Sequence, residues 1–321
     1  MKHSLPHLEI PDHSPRFSLR YLLPQYWLTW LAVVLIWLLT YSPKLIRVGL
    51  ARRLGRFLYR RSRKRRAIVE TNLQWCFPDK QAEERDALAQ AYFEMAAIVL
   101  FDFGLLWFAG RRKLNQRIRV QGVEHLEQAY QAQGRVIALT CHNLGLEYGA
   151  QMLSQDFPIV GLVKQVRNDF MDWLLSHGRT RFLCRLFLRD AGIRNIVKAV
   201  RAGYVFYYLP DEDLGGTKKT TFIPFFGIQT ATLTALGKLA RTCDAAVVPC
   251  ITHYDWQADQ YVVKFRAALD DVSEKDEIAA ATRMNEILES MIREAPEQYM
   301  WSLRIFQTRP EGEETPYFMQ K

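Results

Sequence analysis

From residue 135 to residue 296 the chain alternates short β-rich runs with longer helical ones, and this alternation limits its fold more than any other feature. "RVIALT" (135–140), "PIVGLV" (158–163) and "YVFYYL" (204–209) are continuous apolar runs dense in β-branched and aromatic residues, as strands buried on both faces require. Between them "GLEYGAQMLSQ", "DFMDWLLSHG" and "RNIVKAVRAG" read as helices, the last stopped by Gly203. "ATLTALGKLARTC" (231–243) reads as another helix. "AAVVPC" and "QYVVKFRAAL" read as late strands, and "DEIAAATRMNEILESMIREAP" as a surface helix ended by Pro296. The pattern predicts an α/β fold with a mixed, largely parallel sheet flanked by helices. In such sheets functional groups collect at the carboxyl ends of the strands.

The N-terminal part has a different character. Residues 1–20 form a tail, and residues 21–43 contain no charged side chain. As one helix this run would measure roughly 30–35 Å, near the thickness of a bilayer core. Tyr26, Trp27, Trp30 and Tyr41 place aromatic rings toward its ends, as interfacial belts do. It is expected to be a membrane anchor, and "TYSPKL" is no small-residue cleavage site. Residues 44–66 are rich in Lys and Arg and hold no acid; Leu45, Ile46, Leu50, Leu54, Phe57 and Leu58 recur at helical spacing. This reads as a basic amphipathic helix on anionic headgroups, and by the positive-inside rule it places residues 67–321 in the cytoplasm. "AEERDALAQAYFEMAAIVLFDFGLLWF" predicts a helix with a very apolar second half, suited either to the core or to a lipid or acyl chain.

The formal net charge of +9 calls for an acidic partner. Because the basic run follows directly on the apolar one, an anionic membrane is expected in preference to nucleic acid. The five cysteines form no C-x-x-C pair, which argues against a zinc cluster or a disulfide framework and fits a reducing compartment.

Just past "RVIALT" the sequence reads "CHNLGLE", with His142 five residues before Glu147. Five residues are about 500° of helix, so the pair cannot share a helix face. The two meet only if His142 lies on the strand-to-helix loop, with Asn143 as N-cap and Glu147 in the first turn. Glu147 would then orient one imidazole nitrogen and leave the other as a base. The same spacing also suits an incidental loop histidine and an acid favoured by the helix dipole. Other strand ends offer Asp211, Glu212 and Asp213 after Pro210, the basic pair Lys218 and Lys219, Lys164 and Arg167 in "LVKQVRND", and Arg179 and Arg181 in "HGRTR". Arginines there suit phosphate or carboxylate groups, or are solvated surface charges.

In order, "PQYWLTWL", "NLQWCFP", "HNLGLE", "RNDFMDWLLSHGRTR", "YYLPDEDLG", "FIPFFG" and "APEQYMW…RIFQTRPEG" span nearly the whole chain. Together they resemble the lipid A biosynthesis late acyltransferases, of lauroyl and myristoyl type, within the lysophospholipid acyltransferase superfamily and its H-x4-D/E motif. The resemblance implies a glycerol-phosphate-acyltransferase-like fold and an enzyme of the bacterial inner membrane. It implies transfer of a fatty acyl chain from acyl carrier protein to a 3-hydroxyacyl hydroxyl of a Kdo-bearing lipid A precursor. His142 and Glu147 match its catalytic dyad; Arg179, Asp211 and Arg167 match substrate-facing positions, with Asp211 expected to position Arg179. Backbone N–H groups after His142 are the expected oxyanion donors. No metal or redox cofactor is expected, because the thioester is already activated. Asn143, where an aromatic or apolar residue is expected, and "SLRIF", where a more basic run is expected, depart from the pattern. The competing expectations are a glycerophospholipid or glycolipid acceptor, or a basic membrane-binding protein without catalysis.

Overall fold

The computed structural model describes residues 4–215, 220–272 and 276–317. The Lys218–Lys219 pair and the ends of both terminal segments lie outside the described residues.

In chain order the N-terminal helices are α1 (Trp27–Thr40), α2 (Lys44–Arg61), α3 (Arg63–Cys76), α4 (Ala82–Phe108) and α5 (Arg111–Arg117). Then follow β1 (Ile118–Gln121), α6 (Val123–Gln133), β2 (Val136–Leu139), α7 (Leu146–Leu153), β3 (Ile159–Val163) and α8 (Asp169–Arg179). β4 (Cys184–Leu188), α9 (Ile193–Arg201), β5 (Val205–Tyr208), β6 (Thr220–Phe225), β7 (Ile228–Leu233) and α10 (Leu236–Cys243) come next. β8 (Ala246–Asp255), β9 (Gln260–Phe265) and α11 (Glu277–Ile292) complete the chain. Among the described residues seven strands form one sheet in the order β1-β9-β8-β2-β5-β3-β4. All its pairs are parallel except the β8–β9 hairpin. The fold is therefore α/β with a mixed, largely parallel sheet. β2 and β5 are buried along their whole length, which explains their unbroken apolar sequence.

Two stretches differ from their sequence-based expectation. Residues 231–243 are not one helix: Ile228–Leu233 is a strand, and only Leu236–Cys243 is helical. β6 and β7 pair antiparallel around Phe226 (φ 52°) and Gly227 (φ 75°). Two central residues at positive φ make the tight hairpin turn whose twist matches the strands. Asn285 of α11 secures the hairpin by donating to the Pro224 carbonyl at 2.9 Å and to Thr232 Oγ1 at 3.1 Å. That tertiary contact overrides local helical periodicity.

The uncharged run is likewise divided. Leu19–Leu22 and Pro24–Tyr26 are 3₁₀ turns, and the α-helix proper covers 14 residues, about 21 Å long. Pro24, with its fixed φ and missing N–H, separates the turns. α1 packs on α4, where the Thr40 hydroxyl donates to the Phe101 carbonyl at 2.6 Å. Its other face leaves Leu28, Leu31, Leu35 and Leu38 at least half exposed.

α2 continues the expected basic helix to Arg61, and after Ser62 the chain restarts as α3. Its buried stripe is Arg47, Ala51 and Gly55, which lies against α4, whereas Leu45, Ile46 and Phe57 face outward. The tail is part of the folded body. The His13 N–H donates to the Leu186 carbonyl of edge strand β4 at 2.7 Å, and His13 Nε2 meets Asp172 Oδ2 at 2.9 Å.

α4 is, among the described residues, the one helix long and apolar enough to cross a membrane by length and composition; two-thirds of its most apolar stretch is buried. It carries α1 and α2 on one side and approaches α7 and α8 on the other.

Candidate active site

The site lies where the parallel strands end. β2 and β5 are neighbours, with Leu139 opposite Tyr208. His142 and Asp211 each follow three residues later, so the register brings them level at the carboxyl edge. The Asp211 carboxylate accepts the His142 backbone N–H at 2.8 Å through Oδ2, and His142 Nδ1 lies 2.8 Å from Oδ1. Tyr299 donates its hydroxyl to the same Oδ2 at 2.9 Å. A carboxylate only accepts, so Nδ1 carries the proton and Nε2 is left for a substrate.

Burial opposes the charged imidazolium, but the Asp211 charge and hydrogen bond outweigh it, and the His142 pKa lies above the ordinary histidine value. Burial would raise the Asp211 carboxyl; the charge of His142 and the hydrogen bonds from His142 and Tyr299 overcome it, and the net shift is downward. Raising a histidine's folded-state pKa contributes stability that is present below its unfolded value and lost as pH rises through the folded one. For a general base the consequence is kinetic: the neutral form is needed. The acid limb of kcat/KM is expected above about 6.5, the unperturbed histidine value. A pH–rate profile whose limb lies well below that value would contradict the assignment.

Glu147 is not the partner of His142. It sits in the first turn of α7 and is gripped by Arg179 at the end of α8, whose Nε lies 3.0 and 3.1 Å from the two carboxylate oxygens while Nη2 binds Oε1. The two carboxylates thus exchange the roles expected from sequence: Asp211 orients the histidine, and Glu147 positions the arginine. The Glu147 charge raises the Arg179 pKa despite burial. The side chains are 15% and 29% exposed, so water screens them in part. Alanine at either position is expected to destabilise the protein, and a double-mutant cycle should give a coupling of about 1–2 kcal/mol. Additive losses in urea unfolding would show two independent side chains.

Other sequence candidates find different places. Asn143 does not cap α7, whose N-cap is Gly145. Its side chain is buried, and among the described residues neither of its polar atoms has a hydrogen-bond partner. The backbone N–H groups of Asn143, Leu144 and Leu146 donate to the carbonyls of Cys141, Gln298 and Asn143, so they are already engaged. Arg181 donates to the carbonyls of Leu105, Leu106 and Ala109 and closes the end of α4. Arg167 is exposed on the β3–α8 loop, next to Val166 of the cavity wall.

Two residues of the site escaped the sequence reading. Tyr299 belongs to a segment that braces the loop, with the Met300 N–H donating to the His142 carbonyl and the Leu144 N–H to the Gln298 carbonyl, both at 2.8 Å. Arg189 pairs with Glu212 at 2.5 Å and lines the cavity. "QYMW" held a signal only through the resemblance. α7 also rests unusually close to β8: a Cβ on Gly149 would collide with the Thr252 hydroxyl. Among the described residues no three His, Cys, Asp or Glu side chains are grouped to hold a metal ion.

His142 opens into a cavity of about 330 Å³. One wall is apolar helix surface, with Phe103, Leu106 and Trp107 of α4 and Leu175 of α8. The opposite wall is sheet, formed by β3, by Cys184 and Leu186 of β4, and by Tyr207 of β5. Lys164, Arg179 and Arg189 add the cations. Burial pushes the Cys184 thiol up to about 12, so it is no nucleophile.

A histidine held by a carboxylate at the mouth of a hydrocarbon-lined cavity suits transfer of an apolar acyl group to a hydroxyl. The family model of the bacterial lipid A biosynthesis acyltransferases matches residues 14–308. The chain belongs to this family. It is 34% identical to the lipid A biosynthesis myristoyltransferase of Escherichia coli over 309 residues, 95% of each chain. To the lauroyltransferase of the same organism it is 35% identical over 310 residues, 94% of this chain and 99% of that one. A lipid A biosynthesis acyltransferase of Haemophilus influenzae is 33% identical over 303 residues, 94% of both chains. The protein is an acyltransferase of lipid A biosynthesis, with a lipid A-type acceptor.

Proposed function

We propose that this lipid A acyltransferase moves a fatty acyl chain from acyl carrier protein to a 3-hydroxyacyl hydroxyl of a Kdo-bearing lipid A precursor, with His142 as general base oriented by Asp211. The observation that carries the reading is the Asp211–His142 pair, 2.8 Å apart, at the mouth of the apolar cavity. A free aliphatic hydroxyl scarcely ionises near neutral pH. His142 Nε2 takes its proton as the oxygen attacks the thioester carbonyl, and the imidazolium that forms is held by Asp211. The tetrahedral intermediate collapses with formation of the ester C–O bond and loss of the C–S bond. The departing thiolate regains the proton from His142. Arg189 and Lys164 line the same cavity and are the candidate counter-charges for the negative charge on the carbonyl oxygen. With an activated thioester as donor, the proposed reaction needs no metal or redox cofactor.

The outward faces of α1 and α2 support a membrane location. α1 leaves Leu28, Leu31 and Leu35 exposed, and α2 leaves Leu45, Ile46, Arg52, Arg53 and Arg56 exposed, with Arg52 and Arg56 also close to Glu94 of α4. Such a surface suits the interface of an anionic cytoplasmic leaflet. α4 separates it from the cavity, so an acceptor embedded in the bilayer lies one helix away from the base. The remaining basic surface suits an acidic carrier protein.

The test is mass spectrometry of the lipid formed by the full chain in mixed micelles, with acyl-acyl carrier protein as donor. The expected product is a lipid A precursor one acyl chain heavier. Transfer to a lysophospholipid with none to the lipid A precursor would reject this acceptor.

A further inference from the structure

β3 carries a glycine at its centre. Glycine weakens a strand and marks a bulge, a bend or a place where another group comes close. No bulge is present: Ile159 to Val163 pair in unbroken register with Cys184 to Leu188 on one side, while on the other the pairing with β5 ends at Val160, one residue before the glycine. The third is not met by the protein either. A Cβ built on Gly161 would touch only Leu186 Cδ2, at 3.9 Å, an ordinary contact. The space over Gly161 therefore belongs to the cavity.

Alternation along a strand places Ile159, Gly161 and Val163 on one face, and all three line the cavity. Val163 is at the carboxyl edge, as His142 is. Ile159 lies about 13 Å below it, toward the amino end. Cys184 and Leu186 flank this path on β4, and Leu106 and Trp107 close it from α4. A chain entering beside His142 must pass Gly161 midway to reach Ile159.

We propose that Gly161 sets the acyl-chain length this enzyme accepts, by leaving the passage along β3 open. The inference rests on the proposed reading that the cavity holds the fatty acyl chain. A valine here would suit a strand and leave the fold intact, while its methyl groups would fill the passage.

The experiment compares full-length wild type, Gly161→Val and Gly161→Ala with octanoyl-, lauroyl- and myristoyl-acyl carrier protein and a lipid A precursor, measuring kcat/KM for each donor. In Gly161→Val the myristoyl-to-octanoyl ratio should fall about tenfold or more, the effect of losing room for about two methylenes. Gly161→Ala should shift it less, in the same direction. This graded pair carries the test if the valine protein fails to fold. Folded variants with the wild-type donor profile would overturn the inference while leaving the acyl-transfer reading intact. A wild type inert with every donor would overturn both.

Discussion

Asp211→Asn is expected to lower acyl transfer about 10³–10⁴-fold while leaving the protein folded. The carboxylate accepts from the His142 backbone, the His142 ring and Tyr299. An amide offers a single accepting oxygen and turns an N–H₂ toward groups that themselves donate. His142 is then free to place its proton on Nε2, the nitrogen proposed to receive the acceptor's proton, and an imidazolium there loses its countercharge. The acid limb of kcat/KM should also move down, because the charge that raises the His142 pKa is gone. Tyr299→Phe, which removes one of three donors, should cost far less. Near-wild-type turnover by a folded Asp211→Asn protein would return the orienting role to another residue. Glu147→Gln separates the two carboxylates further: it loosens Arg179 but leaves the His142 contact untouched, so the limb should stay in place.

Asp102→Ala is expected to cost about 3–5 kcal/mol of stability. Asp102 is wholly buried in α4, 3.0 Å from Arg117 and 3.2 Å from Arg47. The Arg47 contact is poorly aligned for a hydrogen bond, but the Tyr261 hydroxyl donates to Asp102 at 3.0 Å. Asp259 completes the cluster by pairing with both arginines and accepting from Tyr254. Two cations and two anions balance. Removing Asp102 leaves Arg47 and Arg117, both nearly inaccessible, sharing one acid that is partly exposed. Breaking one member of a buried ionic group is costly even where the intact group adds little net stability. The cluster also joins α2 to α4, α5 and the β8–β9 hairpin, so the basic N-terminal helix should loosen with it. Urea unfolding measures the loss, and a change below 1 kcal/mol would show that the two arginines find other partners.

Much of the architecture was legible in the chain. Unbroken apolar runs rich in β-branched and aromatic residues, such as "VFYY" and "VIAL", suit a sheet covered on both faces, and the helices between them suit parallel connections. His142 was marked by its place after such a run. The β6–β7 hairpin was misread because Thr230, Ala231 and Thr232 fit either period, and the contact from Asn285 that settles it comes from a distant helix.

Local pattern also determined the basic, apolar N-terminal surface, because charge and hydropathy are properties of composition along the chain. It did not determine which carboxylate serves His142. Glu147 is five residues away, and Asp211 is 69 away. Proximity along the chain favoured the first. Strand order favoured the second, since β5 is the direct parallel neighbour of β2 and its end lies level with the histidine. That order arises from long-range packing of the whole sheet, and local periodicity carries no record of it.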